Sequence, residues 1–307
     1  MALAAGARVQ ARALLRPWSR VLSAAPGRTP AAGGGGPGAR CFGSPRVLVE
    51  PDPAAGMAVM KLRKPPVNSL SLELLTELVI SLEKLENDKS FQGVIITSDS
   101  PGIFSAGLDL MEMCGRDPAH YAEYWKAVQE LWLRLYLSHL VLICAVNGAS
   151  PAGGCLLALS CDYRILADNP KYTIGLNETQ LGIVAPFWFA DTLVNTIGHR
   201  AAERALQLGL LFPPAEALQV GIVDQVVPED QVQSTARSVM AQWLAVPGEK
   251  PGAGGPRQLW VLQGQQSHRP PQPDAPHETR GYSRQRAVCK SQPCHFQQQA
   301  ALVLGPP

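Results

Sequence analysis

Between residues 45 and 246 the hydrophobic positions fall into two alternating periods. The runs Arg46–Glu50, Met57–Leu62, Phe91–Ser98, Leu140–Val146, Tyr163–Ala167, Lys171–Gly175 and Ile222–Val227 read as strands. Leu140–Val146 is apolar at every position, as expected of a strand covered on both faces. Between them the spacing switches to three and four. Leu72, Leu75, Leu78, Val79, Leu82 and Leu85 form one stripe, with Ser69 or Ser71 placed to cap it and Glu73, Glu77, Glu83 and Lys84 on the solvent side. Pro118–Leu137 is a second long amphipathic helix. Shorter helical runs follow at Gly153–Cys161, Pro186–Ile197, Arg200–Leu208, Pro213–Gly221 and Pro228–Trp243. Strands alternating with helices predict an α/β fold around a largely parallel sheet.

Composition changes at both ends of this region. Residues 1–49 hold no Asp or Glu, while Arg8, Arg12, Arg16 and Arg20 recur every fourth position opposite Leu14, Leu15, Val21 and Leu22. A basic, acid-free, amphipathic start is the pattern of a mitochondrial transit peptide, so 1–44 is expected to be a targeting segment and flexible joint, and the protein to reside in the mitochondrial matrix. A basic arm for an anionic partner is the other reading of the same charges. From Pro247 to Pro307, 10 of 61 residues are Pro, 7 Gly and 10 Gln, a composition that predicts disorder for 247–307. The folded part is thus expected at 45–246.

Overall charge and special residues narrow the chemistry. A net charge of +2 over 307 residues gives no electrostatic case for nucleic acid. No apolar run reaches the ~18 residues of a membrane helix. The seven cysteines and six histidines show no ligand spacing, so neither a metal nor another cofactor is expected. A Gly-x-Ser-x-Gly elbow and a phosphate-binding glycine loop are both lacking.

Two glycine-bearing strand exits and one carboxylate remain. Val141–Val146 ends at a turn, Asn147-Gly148, and Gly153-Gly154 opens the next helix; Phe104-Ser105-Ala106-Gly107-Leu108-Asp109-Leu110 follows the strand at 91–98. Glycine there permits close backbone approach, and two such exits meeting in space aim two N–H groups at one oxygen. Each alone equally suits an ordinary tight turn. Glu178 sits between Asn177 and Thr179 among apolar residues, where burial raises a carboxylate's pKa and fits it to move protons; a surface-loop cap is the plainer alternative. Asp109 reads as a helix cap, Asp162 as a helix terminator and Asp224 as a strand residue.

These stretches, with Ala158–Asp162 and Val220-Gly221-Ile222-Val223-Asp224, resemble the crotonase (enoyl-CoA hydratase/isomerase) superfamily in order and spacing over 46–246. The resemblance implies a spiral of ββα units, a homotrimer and an acyl-CoA thioester ligand. It places the Ala106 and Gly153 N–H groups around the thioester oxygen. Ala106, Gly107, Leu108, Asp109 and Leu110 would line the acyl-CoA pocket, with Asn177 beside the reacting carbons. Family hydratases carry a glutamate where this chain has Leu156, and a second one that Glu178 matches. One carboxylate suits movement of a double bond from 3-cis or 3-trans to 2-trans, as in fatty acid β-oxidation, with Glu178 as the catalytic group. Hydration and non-catalytic acyl-CoA binding are the alternatives. The second is suggested by the tail, since the family ends in pocket-closing helices that the 247–307 composition does not support. Lys61, Arg63 and Lys64 are the basic candidates for the CoA phosphates.

Overall fold

The structure is a computed structural model and describes residues 41–246. The transit-peptide and disordered-tail expectations, for 1–44 and 247–307, lie outside the described residues except for 41–44.

Ten strands form two sheets. In the larger, β1 (Phe42–Gly43), β2 (Val47–Asp52), β3 (Met57–Leu62), β4 (Gly93–Ser98), β6 (Val141–Val146), β8 (Tyr163–Ala167) and β10 (Gln225–Val227) lie in that order. The pairs β3–β4, β4–β6, β6–β8 and β8–β10 are parallel, whereas β1–β2 and β2–β3 are antiparallel. The smaller sheet is β5 (Gly102–Ile103), β7 (Gly148–Pro151) and β9 (Ile174–Gly175), all parallel.

Side-chain alternation explains the uninterrupted apolar strands. Along β4 and β6, Val94, Ile96, Leu142, Cys144 and Val146 enter one core, whereas Ile95, Ile143 and Ala145 enter the other. The first core is roofed by α1 (Leu72–Asn87) and α2 (Pro118–Leu137); Ser71 caps α1 by accepting the Leu74 N–H at 3.4 Å. α3 (Gly153–Leu159), α4 (Phe187–Ile197), α5 (His199–Leu208) and α6 (Pro214–Val220) follow, and α7 (Val232–Leu244) covers the second core through Val232, Ala236, Val239 and Met240.

The small sheet is what positions the site. Each of β4, β6 and β8 leads into a short strand of it, and β5, β7 and β9 then release the chain at Phe104, Ala152 and Leu176. Three segments distant in sequence are thereby delivered side by side, the repeated ββα plan the resemblance implied. The expected turn at Asn147-Gly148 is instead a step between sheets. The Asn147 amide bonds Ser98 N at 3.3 Å and Ser98 O at 2.9 Å, joining the ends of β4 and β6. A Cβ on Gly148 would lie 2.2 Å from the Ile103 nitrogen, so glycine is required where β5 and β7 touch. The expected strand at Lys171–Gly175 shortens to Ile174–Gly175, and Asp224 lies just before β10, pairing with Arg164 at 2.8 Å.

Candidate active site

At the exits of β5, β7 and β9 lies a cavity of ≈ 290 Å³. Leu108, Leu110 and Met113 come from the first exit, Ala152 from the second and Glu178 from the third. Trp125 of α2 and Phe189 of α4 complete its apolar lining, together with Ala106 and Pro186.

Glu178 is 6% exposed, on a 3-10 turn (Glu178–Leu181) ended by Gly182. Neither carboxylate oxygen has a hydrogen-bond partner among the described residues. Burial pushes its pKa from 4.5 up to about 7, offset in part by its own backbone N–H. A surface cap has neither property, so the surface-loop alternative is corrected. The carboxylate is desolvated, unpaired and aimed into a cavity. Asp109, which also lines the cavity, is already committed: it pairs with Lys64 at 2.8 Å and caps the Met111 N–H at 3.1 Å. Leu156 is buried in α3, so the cavity has one uncommitted carboxylate.

The two glycine exits do meet. A Cβ on Gly107 would lie 2.8 Å from the Gly153 nitrogen, and one on Gly153 would lie 3.0 Å from the Leu108 nitrogen. The expectation that Ala106 supplies an oxyanion donor is corrected here, because its N–H already donates to Val67 O at 2.9 Å. The facing amide belongs to Leu108. The Gly107 carbonyl accepts from Leu70 N at 2.8 Å, and in a trans peptide the following N–H points the opposite way, away from Leu70. By the same geometry the Ala152 carbonyl accepts from Leu156 N at 3.1 Å, so the Gly153 N–H points back out of α3. Ala152 holds φ +51, a left-handed conformation that costs a non-glycine residue ~1–3 kcal/mol. Its N–H is pinned to Gly175 O at 2.8 Å.

Of the other expected residues, Ala106, Leu108, Asp109 and Leu110 line the cavity, while Gly107 packs on the Gly153 backbone behind it. Asn177 precedes Glu178 but does not line the cavity; its Oδ1 is buried without a partner among the described residues. Lys61, Arg63 and Lys64 each pair with a carboxylate, on Glu50, Asp99 and Asp109. Met113, Trp125, Pro186 and Phe189 escaped the sequence reading: on α2, Trp125 follows the same apolar period as core residues, with nothing to mark it as a wall.

A protein-family model described as Enoyl-CoA hydratase/isomerase matches residues 52–250. The chain belongs to this family. It is 79% identical over 247 residues to "Enoyl-CoA delta isomerase 1, mitochondrial" of Homo sapiens, covering 80% of this chain and 82% of that one. The protein of the same name from Rattus norvegicus is 72% identical over 247 residues, covering 80% and 81%. Among solved structures, that of human mitochondrial delta3-delta2-enoyl-CoA isomerase superposes with a TM-score of 0.68 at 67% identity, over 84% of this chain and 96% of the other. The family membership and the shared fold agree with the resemblance drawn from the motifs.

Proposed function

We propose that this chain is an enoyl-CoA isomerase that moves the double bond of a 3-cis- or 3-trans-enoyl-CoA to the 2-trans position. The observation that carries the reading is the single uncommitted, buried carboxylate of Glu178 in the cavity that Leu108 and Ala152 also line. The names of the human and rat relatives support the same reaction.

In the proposed mechanism Glu178, ionised, removes a proton from C2 of the 3-enoyl-CoA. The C–H electrons form a dienolate whose negative charge gathers on the thioester oxygen, which accepts from the Leu108 and Gly153 N–H groups. Each such preorganised donor is typically worth about 3–4 kcal/mol to the transition state. Glu178 then returns the proton at C4: the C3–C4 π electrons form the new C4–H bond, the C1–C2 π electrons of the dienolate move to C2–C3, and the charge on oxygen re-forms the thioester carbonyl. A carboxylate whose pKa is about 7 is matched to both halves of this exchange near neutral pH. The scheme uses no cofactor or metal; coenzyme A belongs to the substrate.

Hydration of a 2-enoyl-CoA needs a water held between carboxylates, and Leu156 removes the second one. Residence in mitochondria follows the relatives' names, and the finer assignment to the matrix is proposed from the N-terminal pattern alone. Exposed Leu181, Val184 and Phe187 beside the cavity support assembly, for which a trimer is the proposed state. The test is Glu178→Gln assayed on a 3-enoyl-CoA. A loss of roughly a thousandfold or more in kcat is expected for removal of the only base, and unchanged turnover would eliminate the role.

A further inference from the structure

The Leu108 N–H follows a glycine with φ +88, so sterics do not fix its direction. Hydrogen bonds must do so. Three hold this segment: Ser105 Oγ accepts from Gly107 N at 3.1 Å, Gly107 O accepts from Leu70 N at 2.8 Å, and the Asp109 N–H is held on the far side of Leu108. The third anchor is the unusual one. Asp109 N reaches Leu70 O only at 3.4 Å, a long rung for a β-bridge. A side-chain hydroxyl completes it: Tyr124 Oη on α2 donates to Leu70 O at 2.7 Å and accepts from Asp109 N at 3.1 Å.

Tyr124 is fully buried, and burial raises its phenol above the ordinary value, so the hydroxyl keeps its proton at any working pH. It is not among the residues that line the cavity.

Resting on the reading that the Leu108 N–H holds the thioester oxygen, we propose that Tyr124 is a positioning residue of the oxyanion hole: its hydroxyl, inserted between Leu70 and Asp109, fixes the direction in which the Leu108 amide points. The role is specific to developing charge. A slack amide still tolerates a neutral thioester carbonyl, whereas the enolate oxygen loses a donor aligned to it.

Tyr124→Phe keeps the ring and removes only the hydroxyl. The experiment compares binding of butyryl-CoA, a neutral thioester, with acetoacetyl-CoA, whose bound enolate absorbs apart from its keto form in the near ultraviolet. Arg134→Gln serves as a structural control on the same helix, because Arg134 pairs with Glu86 at 2.7 Å and Glu83 at 3.6 Å, away from the site. In Tyr124→Phe the enolate signal and acetoacetyl-CoA affinity should fall about tenfold, with butyryl-CoA affinity within about twofold and kcat falling while KM holds. Arg134→Gln should lower thermal stability and leave the enolate preference intact. Equal weakening toward both thioesters would reduce Tyr124 to a structural role and overturn the proposal, as would a preference that survives the substitution. A wild-type protein without any enolate preference would instead remove the oxyanion-hole reading itself, and Tyr124's role with it.

Discussion

Replacing Glu178 by Gln should make the protein more stable, and only at high pH. Folding moves the carboxyl from water, where its pKa is 4.5, to a site where it is about 7. The folded protein therefore binds this proton more tightly than the unfolded chain does. Between pH 4.5 and about 7 the unfolded chain releases the proton first, so stability falls as pH rises across that window. Below it both states are protonated and no penalty exists; above it the penalty is complete. The difference corresponds to about 3 kcal/mol, undiscounted because the side chain is buried. Gln has the same shape and no charge. Its amide, like the protonated carboxyl, lacks partners, so that cost cancels between the two proteins. Thermal midpoints at pH 4, below the window, and at pH 8.5, above it, give the assay. The variant should match the wild type at the lower pH and exceed it by roughly 6–12 °C at the higher, for about 3 kcal/mol in a domain of this size. An equal difference at both pH values would mean that Glu178 is solvated, and the desolvated-base argument would fall.

Other consequences follow from the same geometry. The kcat/KM of the wild type should rise about tenfold per pH unit up to a plateau beginning near pH 7, and a profile flat from pH 5 to 8 contradicts the assigned base. Gly107→Ala places a Cβ 2.8 Å from the Gly153 nitrogen at φ +88, so a stability loss of ~1–2 kcal/mol with a kcat loss of about a hundredfold is expected from steady-state kinetics and thermal melts. Asp224→Ala strands the Arg164 guanidinium, 9% exposed, and should cost about 3–5 kcal/mol in denaturant unfolding while leaving the wild-type pH dependence of kcat/KM in place.

The long elements were legible because their periods are set by the cores they enter: α1 and α2 appear where the spacing placed them, and β4 and β6 divide their side chains between two clusters. The small sheet was not. β5 and β9 are two residues each, too short for any alternation, and Gly148 looks like a turn glycine although it is there for contact with Ile103. Glu178 stood out as a carboxylate in apolar text, but its burial depends on Trp125 and Phe189 arriving from distant helices. Ala106, read as a donor, has its N–H taken by Val67 O, and the amide nitrogen lying near Gly153 is two residues further on, at Leu108. Which amide is free depends on whether Val67 or Leu70 captures its neighbours, and those partners lie more than thirty residues upstream. Side-chain patterns do not report the direction of a peptide plane.

The central claim is that one carboxylate carries the proton from C2 to C4, and it is tested most directly by following that hydrogen. A 3-enoyl-CoA deuterated at C2, turned over in ordinary water, should deliver part of its label to C4 of the 2-trans product, because the buried Glu178 exchanges slowly with solvent. In Glu178→Gln the transfer should disappear together with turnover. Product wholly free of deuterium at C4 in the wild type, or label transfer that survives in Glu178→Gln, would contradict the single-carboxylate shuttle.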